Sequence, residues 1–148
     1  MKALIQNKKA HFNYELLEEF EAGISLFGYE VKALRNHHGS LEGSHVIVRG
    51  DEAFLVGATI PPYQPANTPE TYDPARNRKL LLSKKEIGQL SGLERQKGLT
   101  IVPISVYNKG KNLKMRLAVA RGKKKYDKRE TIRKRESKRS IERTLKNQ

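Results

Sequence analysis

Eight consecutive residues carry the densest chemistry in the chain: Gly122, Lys123, Lys124, Lys125, Tyr126, Asp127, Lys128 and Arg129. Cations neutralise phosphate, a phenol ring stacks on a base, and a carboxylate orders a neighbouring Lys or Arg. The same composition also suits a generic cationic run for solubility or nuclear localisation. Gly122 lets the chain leave a preceding strand. A second cluster, Arg76, Arg78 and Lys79, precedes Leu80, Leu81 and Leu82. Two Arg at i and i+2 on a strand project to one face and can reach one phosphate backbone together; otherwise they close a solvated loop before a buried strand. Asn7, Lys8 and Lys9 suit phosphate and base contacts, or form a frayed basic terminus. Glu21 stands beside Ala22 and Gly23. Its carboxylate would repel phosphate, yet it can accept a base amino group or a ribose hydroxyl. The alternative is a solvated carboxylate at a helix end, or one paired with a nearby Lys.

Residues suited to covalent or metal chemistry are scarce. With no Cys, disulfides, Cys-ligated zinc and iron–sulfur sites are excluded. His11, His37, His38 and His45 do not fall at metal-ligand spacing with a carboxylate partner. The chain has neither a G-x-x-x-x-G-K-[ST] phosphate loop nor a Gly-x-Ser-x-Gly elbow. The expectation is a binding protein without catalytic residues, cofactor, metal or small-molecule substrate. No apolar run approaches ~20 residues, and the N-terminus lacks an apolar segment of secretory length. A soluble, cytoplasmic, monomeric protein without a membrane partner is expected.

The 148 residues include 30 Lys and Arg against 16 Asp and Glu, a formal net charge of +14. Such a charge attracts polyanions, of which nucleic acid is the commonest in a cytoplasm. It is unevenly spread: residues 121–148 hold 13 cations against 4 acids. This divides the chain into a domain at 1–120 and a basic tail at 121–148. The tail has few apolar residues, so it cannot offset its own ordering entropy and is expected to be disordered when free. Ile141 and Leu145 are four apart and would share one helical face, so the tail reads as a segment that folds on an anionic partner.

In the body, Ser44–Val48 and Ala53–Ile60 flank a turn at 49–52, and Thr100–Val106 and Leu113–Ala120 flank a second at 107–112; both read as hairpins. Gly23–Leu34 reads as a strand bent at Gly28. Tyr14–Phe20 reads as a short acidic helix. Ser83 and Glu86 have capping-box spacing and open a helix toward Gly92, with a second short helix at Leu93–Lys97. Pro61, Pro62, Pro65, Pro69 and Pro74 mark a long irregular loop. Many short strands with two or three short helices predict a small closed β-barrel.

Six separated blocks resemble the SmpB family of SsrA-binding proteins, in the family's order along nearly the whole chain. They are Asn7–Ala10, Phe20–Ile24, Gly28–Arg35, Arg76–Leu82, Thr100–Pro103 and Gly122–Arg129. The resemblance implies an OB-type antiparallel β-barrel with flanking helices and a basic C-terminal tail. It implies transfer-messenger RNA as partner, bound at its tRNA-like domain, and a role in trans-translation on stalled ribosomes. Asn7, Glu21 and Leu81 match positions at the RNA-elbow surface, and Lys8, Lys9, Arg35, Arg76, Arg78 and Lys79 are expected to join them. Gly122 to Arg129, with Lys125 and Tyr126 among them, match the tail positions used for accommodation on the ribosome. Ile141 and Leu145 fall in a tail similar to one that forms a helix in the empty mRNA channel and reaches the decoding centre. A general RNA chaperone and an RNA-processing enzyme are the competing classes.

Overall fold

Apolar residues at alternate positions build most of this molecule. The computed structural model describes residues 2–123 and Arg129. In β3 (His45–Arg49) and β4 (Glu52–Val56), Val46, Val48, Ala53 and Leu55 are buried. Gly50, at φ 61, supplies the left-handed backbone of the turn between them. The long hairpin of β6 (Leu99–Lys109) and β7 (Asn112–Gly122) turns at Gly110 and Lys111, and Leu113, Met115, Leu117 and Val119 point inward from β7. Both hairpins lie where the sequence puts them.

β1 (Ala3–Gln6) pairs with the distal half of β6, and β5 (Arg78–Leu81) lies between β4 and β2. The antiparallel order is β1-β6-β3-β4-β5-β2-β7, and β7 pairs again with β6. Six strands thus close on themselves, with Val46 opposite Ile101 joining β3 to β6. The interior is one continuous apolar core from Ile5 and Phe20 through Leu55 and Leu80 to Met115 and Val119. The fold is mainly β, as expected.

Two segments differ from the sequence reading. Residues 14–20 are not a helix but the first part of strand β2 (Tyr14–Ile24). Its Glu and Leu residues have helical propensity, but β7 pairs along the segment from Tyr14 to Gly23 and β5 pairs at Gly23 and Ile24. Phe20, Ala22 and Ile24 face the core at period two, and this tertiary pairing overrides local preference. A bulge between Leu16 and Glu18 breaks the alternation. Residues 28–35 are not a strand but α2 (Gly28–Arg35). The Glu30 carboxylate accepts a 2.7 Å bond from the Phe27 amide, while Glu30, Ala33 and Leu34 form its buried stripe.

The remaining elements frame the barrel. α1 (Ala10–Asn13) follows β1. α3 (Lys84–Glu94) starts with the expected capping box: Ser83 Oγ accepts from the Glu86 amide and Glu86 Oε1 accepts from the Ser83 amide, each at 3.2 Å. It passes Gly92 and ends at Glu94, and residues 95–97 form a turn, closed by the Gln96 amide on the Leu93 carbonyl, in place of the second short helix expected at Leu93–Lys97. There Glu94 accepts bonds from the Val48 amide at 2.7 Å and from Arg49 at 3.1 Å. The Pro-rich loop contains one 3-10 turn, Pro65–Asn67. No described helix is long and apolar enough to cross a membrane.

Candidate nucleic-acid interface

Since Phe20, Ala22 and Ile24 point inward, Glu19 and Glu21 lie on the outer surface of β2, and Gly23 faces the same way but is buried beside the Leu81 side chain. The register extends this surface sideways. Glu21 opposes Arg116 and Gly23 opposes Lys114 on β7, while Lys114 opposes Tyr107 on β6. On the other flank Gly23 opposes Leu81 on β5, with Lys79 two residues away on the same face. Leu81 is 56% exposed, large for an apolar side chain on a barrel wall. Gly23 lets this side chain sit close against β2: a Cβ there would stand 3.1 Å from Leu81 Cβ. The outer face of β5, β2, β7 and β6 therefore combines Lys79, Lys109, Lys114 and Arg116 with Glu19, Glu21 and the exposed Leu81.

Glu21 occupies the middle of this face. Tyr107 donates its hydroxyl to Glu21 Oε2, and Lys109 Nζ donates to Oε1 at 2.8 Å. The Arg116 guanidinium lies 5.8 Å from the Tyr107 ring centre. The Lys109 bond, then the Tyr107 bond, hold the Glu21 carboxyl below its ordinary range. Burial, then the Glu21 bond, push the Tyr107 phenol up to about 12. The carboxylate stays charged at neutral pH and is matched locally by Lys109, so an acid is tolerated on a cationic surface. In the unbound protein the residue thus realises the Lys-paired alternative, on a strand rather than at a helix end.

A second constellation organises the end of this face. Glu30 is fully buried, and Arg78 Nη2 and Nε reach its Oε2 at 2.7 and 3.1 Å. Arg76 Nη2 reaches Oε1 at 2.5 Å, and the Tyr72 hydroxyl donates to Oε2 at 2.9 Å. Arg78 also donates to the carbonyls of Ala58, Pro74 and Arg76. Burial pushes the Glu30 carboxyl up, but the bonds from Arg76, the Phe27 amide and Arg78 outweigh it and hold it low. Burial, then the Glu30 bond, push the Tyr72 phenol up to about 12. Arg78 therefore corrects a sequence expectation. At 0% exposure it presents nothing to RNA; it ties the Pro-rich loop and β5 to α2. Arg76 and Arg78 do share one partner, but that partner is an internal carboxylate, not a phosphate.

The other expected residues are spread over the surface. Asn7 donates its amide to the Pro103 carbonyl at 3.0 Å, and its backbone bonds Ile104, filling the β6 irregularity between Pro103 and Ser105. Lys8 is exposed, and Lys9 pairs with Glu42 at 2.7 Å. Arg35 donates to the Lys111 carbonyl at the β6–β7 turn, and Lys79 lies 3.5 Å from Glu52. Lys123 remains joined to the body through its backbone bond to Asn13 and its side-chain bond to the His11 carbonyl. Arg129 is exposed. Lys124, Lys125, Tyr126, Asp127, Lys128, Ile141 and Leu145 lie outside the described residues. Sequence reasoning missed Tyr107, Lys109, Lys114, Arg116, Glu30 and Tyr72. The period-two spacing of Lys114 and Arg116 between Leu113, Met115 and Leu117 was the available signal for one of these groups.

The sequence matches the SmpB protein family over residues 4–147. The chain belongs to the SmpB family. Similar relatives are the SsrA-binding protein of Chloroflexus aggregans, 48% identical over 95% of this chain and 89% of the relative, and that of Mycoplasmoides gallisepticum, 46% identical over 95% of this chain and 98% of the relative. A solved structure described as "tmRNA-SmpB: a journey to the center of the bacterial ribosome" contains a chain 41% identical to this one. It superposes with a TM-score of 0.68 over 86% of this chain and 93% of that one. The barrel described above is thus also that of an SmpB solved under that description.

Proposed function

We propose that this chain binds transfer-messenger RNA through the outer face of β5, β2, β7 and β6 and takes it to stalled ribosomes for trans-translation. It acts as a cytoplasmic binding protein and not as an enzyme. The observation that carries this reading is the family agreement over residues 4–147, which runs through the barrel and the tail alike. The face suits a folded RNA: its cations are interleaved with a carboxylate and an apolar side chain, which read shape and hydroxyls rather than phosphate alone. Glu21, Leu81 and Lys79 share that face, while Asn7, Lys8, Lys9 and Arg35 would add contacts from the β1–α1 turn and the end of α2. The tail, Gly122 to Arg129 with Ile141 and Leu145, would engage the ribosome's empty mRNA channel and decoding centre, contributing phosphate neutralisation that is strong but blind to sequence.

The test is recovery of the chain from cell extract followed by sequencing of the bound RNA. One dominant structured RNA with a tRNA-like domain is expected. Equal recovery of unrelated RNAs would point instead to a general RNA chaperone, and turnover of RNA by the purified chain would point to an enzyme.

A further inference from the structure

The outward alternation of β2 does not stop where the strand stops. Glu21 and Gly23 face outward, the Ser25 amide continues the β5 pairing by bonding the Lys79 carbonyl at 2.9 Å, and Phe27 is next in the series. Phe27 is 48% exposed. The Arg76 guanidinium lies 4.1 Å from its ring centre, and the Tyr29 ring lies 5.5 Å from it on the α2 side. Every part is held: Glu30 grips Arg76 through two bonds and accepts the Phe27 amide, and Tyr29 packs edge-on against Tyr72 at 4.9 Å. The phenyl ring is thus both exposed and fixed in place by its neighbours.

We propose that Phe27, backed by Arg76, is a stacking seat for one unpaired nucleobase of the bound RNA. The ring presents a π surface at the end of the proposed RNA-binding face, and the guanidinium completes a cation–π stack beneath it. Arg76 already shares Glu30, so it contributes a plane more than a free charge, which favours a base over a phosphate. Because the ring is held before binding, little freedom is lost when the base arrives. The proposal rests on the RNA-binding reading above and adds to it a specific contact.

The chain contains no Trp, so F27W places a single indole at the site as a reporter. The probe is the purified transfer-messenger RNA, and the protein is the full-length chain. Stacking predicts that RNA quenches the indole emission to saturation, with affinity equal to or better than the parent. It also predicts that F27A and F27L both bind at least about fivefold more weakly, the change that corresponds to about 1 kcal/mol of stacking. Thermal melts of the variants check that the barrel stays folded. Parental affinity in F27A with an unquenched indole overturns the proposal. Parental affinity in F27L also overturns it, since an apolar contact would then suffice, as does an indole whose emission saturating RNA leaves unchanged. If the parent chain itself fails to bind transfer-messenger RNA, the broader functional reading fails first.

Discussion

Six hydrogen bonds converge on the two oxygens of Glu30: from the Phe27 amide, the Tyr72 hydroxyl, and two each from Arg76 and Arg78. Arg78 is fully buried and depends on this carboxylate for its charge balance. Removing one member of a buried ion pair leaves the other uncompensated, at about 3–5 kcal/mol. Glu30→Gln is therefore expected to lower unfolding free energy by about that amount, read by urea titration at neutral pH. The difference should depend on pH in a defined direction. The Glu30 carboxyl is held below its ordinary 4.5 in the folded state, so its contribution is complete above that value and is lost as pH falls through the lowered one. Parent and variant curves should draw together as pH falls from 4.5 through the lowered value of the folded-state carboxyl. A gap that stays constant into strong acid would mean that shape, not charge, is what Glu30 supplies.

Among the elements, α3 rests on a cap that can be tested alone. Ser83 Oγ accepts the Glu86 amide and Glu86 Oε1 accepts the Ser83 amide, so Ser83→Ala should destabilise by about 1 kcal/mol in a urea melt. A loss below a few tenths of that would mean the Glu94 contacts to β3 hold the helix unaided. This cap was legible because Ser and Glu three apart is a local signal, and the two hairpins were legible because alternation ends at a turn-forming Gly in each. The misread elements had no such local signature. Nothing within Tyr14–Phe20 announces that β7 will run beside it, and its Glu residues look like a helical face until that pairing exists. Glu30 likewise reads as a surface acid, because Arg76, Arg78 and Tyr72 are more than 40 residues away in the chain. Leu81 and Glu21 were readable through family resemblance, but the face they share with Lys114, Arg116 and Tyr107 emerges only from strand register.

For the whole molecule, the body and the tail are expected to do separable work, and the structure says where to cut. β7 runs to Gly122 and Lys123 is still bonded to Asn13 and His11, so a cut after Ala120 would remove the last β7 pairs, Arg121 with Glu15 and Leu99 and Gly122 with Tyr14, whereas a cut after Lys123 spares them. The shorter chain should melt at nearly the parent temperature and keep its preference for transfer-messenger RNA over an unrelated RNA within about twofold, because selectivity comes from the folded face. Its affinity should depend less steeply on salt, the log–log slope shrinking by about 0.7–0.9 for each phosphate contact given up. Tagging of stalled chains in a reconstituted translation system should be lost, since the residues removed are those proposed to meet the ribosome. Affinity measured across a salt series, with tagging measured in parallel, separates the two parts. If truncation also erases the preference between RNAs, the tail and not the β5–β2–β7–β6 face carries recognition. If tagging survives, the ribosome reads the barrel directly.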